Sequence, residues 1–229
     1  MKILGHRGAA GLALENTVSS IKAAVSAGVD AVEFDVRATQ DNRLVLSHDA
    51  SLERTHGLAK DIRAMHSKEV NAVRSDQGHS VPSLDEAVKA AGATPLIIEG
   101  KSGYWVKPLV KYLQKHPAVA KRSTVISFQH TELRAFHQAM PDVRVLVLEL
   151  QNAFDAINAA RIYGFDGIDV NYWTLNPLAY WLAKRHGLEI VVFTVDKPLL
   201  ARFLRFLFPR IALTTNIPHK LQFLRQKQS

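Results

Sequence analysis

The 229-residue chain contains no cysteine. Disulfides, thiolate nucleophiles and thiolate-ligated metal sites are therefore excluded, and a reducing compartment is compatible with the composition. Long apolar runs are also missing. Nothing approaches the ~18 consecutive apolar residues of a membrane-spanning helix. The opening "MKILGHRG" has one lysine and then reaches a polar motif, unlike a secretory signal, so a soluble, cytoplasmic protein is expected. No stretch rich in Pro, Gly or Ser splits the chain, and there is no internal repeat. Residues 1–229 are expected to form one domain, at a length common for single α/β barrels.

Acidic residues are absent from 197–229, where Lys197, Arg202, Arg205, Arg210, Lys220, Arg225 and Lys227 stand. Those seven carry most of the formal net charge of +8 and leave +1 for the rest of the chain. A basic end attracts anions such as phosphoesters, nucleic acid or anionic lipid headgroups. The tail lacks the interleaved aromatics of single-strand binders and any nucleic-acid module, so no nucleic-acid partner is expected.

What is present is a repeat of short apolar runs and longer helix-period segments. Strands are expected at 3–6, 31–36, 44–48, 95–100, 123–128, 144–150, 167–172, 189–195 and 210–215. Helices fit between most of them: Asn16 or Thr17 caps one that stops at Gly28, and Ser83 with Glu86 forms a capping box. Alternation of this kind predicts a parallel sheet. Nine strands exceed the eight of a TIM-type (β/α)8 barrel. A parallel crossover needs a dozen or more residues, and only a few, centred on Asp41-Asn42-Arg43, separate the second strand from the third. That connection must be a hairpin after strand 2, which leaves eight strands to close. Residues 50–82, polar and rich in histidine, are expected to form a short irregular insertion or lid.

In such barrels, reactive groups come from the C-terminal ends of strands and the loops that follow. His6 and Arg7 follow the first strand, Glu33 and Asp35 lie on the second, His48 ends the hairpin's return arm, and Glu99 and Lys101 lie on the next parallel strand. Residues two apart on a strand share a face at about 6.6 Å. Carboxylates at that spacing, with Glu99 from a neighbouring strand, suit a hard divalent cation, Mg²⁺ or Ca²⁺, better than zinc. Each feature also has a plain structural account: an exposed strand face, a surface ion pair, a hydrogen-bonded histidine. Their joint placement at one rim favours chemistry.

The motifs His6-Arg7-Gly8, Glu15-Asn16-Thr17, Glu33-Phe34-Asp35, Thr39-Gln40-Asp41, His48-Asp49, Arg54-Thr55, Pro82-Ser83-Leu84-Asp85-Glu86 and Glu99-Gly100-Lys101 occur in that order. The sequence resembles the glycerophosphodiester phosphodiesterase family over nearly its whole length. The resemblance implies metal-dependent hydrolysis of glycerophosphodiesters to glycerol 3-phosphate and an alcohol, within lipid and glycerol metabolism. It implies His6 and His48 as general acid and base, in an order left open, with Glu33, Asp35 and Glu99 on the metal. Arg7, Lys101 and Phe193 would contact substrate; Phe193 stands where the family commonly has tryptophan. Asn216 stands where an aspartate is usual, so no role passes to it.

Two alternatives are weighed. One is lysophospholipase D activity on lysophospholipids, encouraged by "PLLARFLRFLFPR" (198–210), which also leaves open a weak contact with an anionic membrane surface. The plainer account, that the helix is apolar in order to cover the barrel, is preferred. The other is a non-catalytic anion-binding barrel.

Overall fold

The computed structural model describes residues 1–101 and 103–225; Lys227 of the basic tail lies outside them. Strands run β1 (Lys2–Gly5), β2 (Ala31–Ala38), β3 (Leu44–Leu46), β4 (Ser51–Leu52), β5 (Leu58–Asp61), β6 (Leu96–Gly100), β7 (Ser123–Ser127), β8 (Arg144–Glu149), β9 (Gly167–Asn171), β10 (Glu189–Phe193) and β11 (Ala212–Thr215). Helices are α1 (Val18–Ser26), α2 (Glu53–His56), α3 (Ser67–Ala72), α4 (Leu84–Ala91), α5 (Val106–Lys115), α6 (Pro117–Ala120), α7 (His130–Ala139), α8 (Ala153–Tyr163), α9 (Pro177–Arg185) and α10 (Pro198–Leu207).

Eight strands pair in parallel, in the order β1-β11-β10-β9-β8-β7-β6-β2, and β1 also pairs with β2, closing a TIM-type barrel. The ninth expected strand, β3, lies antiparallel on β2 with Val36 opposite Leu46. The hairpin follows from connection length, as the sequence required. Side-chain alternation then sorts the core in two. Leu4, Ala31, Ile97, Ile126, Leu146, Leu148, Val191 and Ala212 fill the barrel interior, while Val32, Phe34, Val36 and their counterparts face the helices.

Caps set the helix ends. Thr17, not Asn16, caps α1; its side chain accepts from Ser20 N–H. Ser83 and Glu86 close the capping box of α4, and Gly164, left-handed at φ 72°, ends α8. The insertion is more ordered than expected. It holds the β4–β5 pair, α2 and α3, over a small core of Leu52, Ile62, Met65, Val70 and Val81 with Val45 from β3. Short, alternating polar segments hide these elements in the sequence because each is stabilised by that local cluster and not by periodicity.

The preferred account of α10 is only half correct. Ala201 and Leu204 cover the barrel, but Leu199, Phe203 and Phe206 point to solvent.

Candidate active site

Strand register builds the acidic centre. Asp35 on β2 stands beside Glu99 on β6, with Glu33 two residues earlier on the same inward face. One oxygen from each of the three lies within 4.8 Å of the others, and all three side chains are buried. Burying three carboxylates together is costly unless positive charge accompanies them. Burial, then the proximity of Asp35, pushes Glu33 up to about 8 and Glu99 well above the usual carboxylate range. Burial acts on Asp35 in the same sense, but Lys101, Arg7 and a hydrogen bond from Asn16 outweigh it and hold Asp35 ionised. The Lys101 ammonium lies 3.1 Å from Asp35 Oδ1 and also donates to Glu99. Arg7 Nε is 3.5 Å from Asp35 Oδ2. Glu33 Oε1 is buried with no hydrogen-bond partner. Three hard oxygen donors, two of them with a buried oxygen that lacks a hydrogen-bond partner and two disfavoured as anions, fit a divalent cation.

The histidines are held from behind. His6 Nδ1 lies 2.8 Å from Asn216 Oδ1, and Asn216 donates through Nδ2 to Asp196 Oδ2 at 2.6 Å. His48 Nδ1 lies 2.8 Å from Asp49 Oδ1, and its backbone carbonyl accepts from Arg37 Nη2 at 2.7 Å. Both imidazoles feel Asp35 and Arg7. Burial is the main cause that lowers each below 6.5, opposed in His48 by the Asp49 hydrogen bond. Phe193 meets Phe128 edge-on at 6.3 Å between centroids, and Lys101 Nζ lies 5.8 Å from the Phe128 ring. All eight residues singled out from the sequence therefore gather at one end of the barrel.

Several supporting residues, some of them inside the motifs quoted above, carried no assigned role in the sequence. Asn16 clamps Asp35 from both sides, donating to Oδ2 at 2.7 Å and accepting from its N–H at 3.0 Å. Glu15 joins Arg7 to Arg54, which reaches Asp49 at 2.6 Å. Asn216, to which no role passed, is the partner of His6. Arg37 shares the inward period of Glu33 and Asp35, a signal that was legible. Asp169, buried on β9, is pushed well up by burial and then by Glu99; only barrel closure brings it beneath the site. A cleft of about 1180 Å³ opens elsewhere, beside Arg43, Lys107 and Glu132, and contains none of these groups.

The model of the glycerophosphoryl diester phosphodiesterase family matches residues 6–209. A glycerophosphodiester phosphodiesterase of Bacillus altitudinis is 32% identical over 181 residues, covering 71% of this chain and 70% of the relative. The crystal structure of a glycerophosphodiester phosphodiesterase from Parabacteroides distasonis superposes with TM-score 0.83 at 27% identity, covering 97% of this chain and 95% of the other. An Oleispira antarctica phosphodiesterase, solved with sn-glycerol-3-phosphate, shares the fold with TM-score 0.88 at 22% identity, covering 99% and 97%.

Proposed function

The chain belongs to the glycerophosphoryl diester phosphodiesterase family, and from that premise we propose that it hydrolyses glycerophosphodiesters to glycerol 3-phosphate and an alcohol, using a divalent ion and the His6–His48 pair. One observation carries the reading: the buried Glu33–Asp35–Glu99 cluster, with Arg7 and Lys101 against it. When bound, Mg²⁺ or Ca²⁺ would be held by Glu33, Asp35 and Glu99 and would supply positive charge against the phosphodiester and lower the pKa of a nearby hydroxyl.

The chain's own residues do the rest. Arg7, braced by Glu15 at one Nη, offers its remaining hydrogens to a non-bridging oxygen, and Lys101 adds a point charge. Phe193 and Phe128 wall the mouth. Asn216 directs its amide hydrogens to Asp196, so its oxygen faces His6 and the proton lies on His6 Nδ1. That leaves His6 Nε2 bare to take the proton of the attacking hydroxyl or water. Asp49 behind His48 opposes the lowering by burial and supports the protonated form needed to deliver an Nε2 proton to the departing alkoxide.

The test is release of glycerol 3-phosphate from glycerophosphocholine, with and without chelator. Separate His6→Ala and His48→Ala variants should each lose about 10²–10⁴ in rate. Near-wild-type turnover in either variant removes that role, and activity that survives exhaustive chelation removes the metal.

Lysophospholipid substrates are a second reading, favoured by large apolar side chains exposed in loops at the catalytic end: Leu12 after β1, Leu150 after β8 and Trp173 after β9. Turnover of lysophosphatidylcholine but not glycerophosphocholine would establish it.

A further inference from the structure

Outer helices of a barrel put their apolar stripe inward and their polar face in water. Helices α9 and α10 depart from that rule on the same side of the molecule. In α10 the buried positions are Ala201 and Leu204; opposite them, Leu199, Phe203 and Phe206 occupy i, i+4 and i+7 and stand 80%, 57% and 83% exposed. In α9 the buried positions are Ala179 and Ala183, and Leu178 and Trp181 face outward. The helices are neighbours, since they follow adjacent strands β9 and β10 and Tyr180 packs on Phe208 at 5.1 Å between centroids. Their outward apolar faces therefore form one surface.

The charge carried by the two helices has one sign. Neither helix contains an Asp or Glu, and α9 ends in Lys184 and Arg185 while α10 carries Arg202 and Arg205. Arg185 lies over the Trp181 ring at 5.2 Å. Helix α5 is also basic, with Lys107, Lys111 and Lys115, yet exposes no large apolar side chain, so basic charge on an outer helix does not by itself bring an apolar face with it. Aromatic and leucine side chains at the centre, with arginine and lysine at the edge, match an interface between acyl chains and anionic headgroups. None of the helices among the described residues is long and apolar enough to cross a membrane. The helix N-termini, with Leu178 and Leu199, adjoin the catalytic end of the barrel.

We propose that the α9–α10 face is a docking surface for an anionic phospholipid bilayer, holding the barrel mouth at the lipid boundary. This does not depend on the proposed hydrolysis.

The experiment is co-sedimentation of the full chain with vesicles of phosphatidylcholine alone and of phosphatidylcholine mixed with phosphatidylglycerol. Binding should require the anionic lipid and weaken with salt. The Phe203→Ser/Phe206→Ser variant should bind about tenfold more weakly or worse, as loss of buried aromatic area predicts. Arg202→Gln should flatten the salt dependence. Unchanged thermal unfolding shows that the variants fold, and their turnover of glycerophosphocholine should equal that of the wild type. Absent turnover with intact vesicle binding would sink the hydrolysis alone. Failure of the wild type to bind anionic vesicles, or equal binding by the double variant, would overturn the docking surface. So would a wild-type dimer in sedimentation velocity that the double variant converts to monomer, since a second copy would then cover this face.

Discussion

Asn216 Oδ1 stands 2.8 Å from His6 Nδ1, at the end of a relay that begins at Asp196. An amide here, unlike a carboxylate, fixes the tautomer of the imidazole without adding a charge beside it. Asn216→Ala should therefore lower kcat by about tenfold or more, but by less than removal of the imidazole, with little change in KM. Asn216→Asp should displace the acid limb of the pH–rate profile upward, because a carboxylate favours the imidazolium. An unmoved limb would show that the contact only packs.

Burial, and then Arg7, holds His6 below 6.5. The unfolded chain accepts that proton near pH 6.5 and the folded chain does not. Native stability should be full above pH 6.5 and fall as the pH drops through that value. Melting curves of wild type and His6→Gln across this window measure the difference; the variant should show a shallower decline.

Glu33 behaves with the opposite sign. Burial and Asp35 raise it from 4.5 to about 8, so in metal-free protein stability declines as the pH rises from near 4.5 through about 8. Glu33→Gln should melt higher than the wild type at pH 8 without metal, by about 2–4 °C per kcal/mol recovered. Adding Mg²⁺ or Ca²⁺ should raise the wild-type melting temperature and leave the variant's much less changed. Equal metal-induced shifts would remove Glu33 from the ligand set.

Glu15 touches no proposed reacting group, yet it holds both Arg7 and Arg54, and Arg54 holds Asp49 behind His48. Glu15→Gln should raise KM through Arg7 and lower kcat through His48. A smaller effect is expected of Arg54→Gln, whose side chain is half exposed and whose ion pairs are screened by solvent. Steady-state kinetics of the two variants separate these terms.

A Cβ on Gly100 would lie 2.3 Å from the Trp105 ring, which is itself fully buried. Neither strand β6 nor the packed indole has room to yield. Gly100→Ala should cost about 1–3 kcal/mol in urea unfolding, as overpacked cores do. Because Gly100 separates Glu99 from Lys101, metal affinity should weaken as well.

Most of the architecture was legible in the chain itself. Strand alternation and connection length determined the nine strands of the main sheet, identified the one that turns back at Asp41-Asn42-Arg43, and put Glu33 with Asp35 on one strand face and Glu99 and Lys101 at the end of another strand, because a period of two and a minimum crossover length are local properties; barrel closure decided that these faces point inward. Glu15, Asn16 and Arg54 stand in recognisable motifs, but no periodicity assigns their partners; loop packing after β1 and β3 sets Asn16 on Asp35 and Glu15 between Arg7 and Arg54. Asn216 depends on closure, which joins the last strand to the first and sets it against His6 across 210 positions. The exposed phenylalanines of α10 are the same case in reverse. Composition shows that a helix is apolar and basic, but only the packing of Ala201 and Leu204 against the barrel decides that its aromatic side faces out.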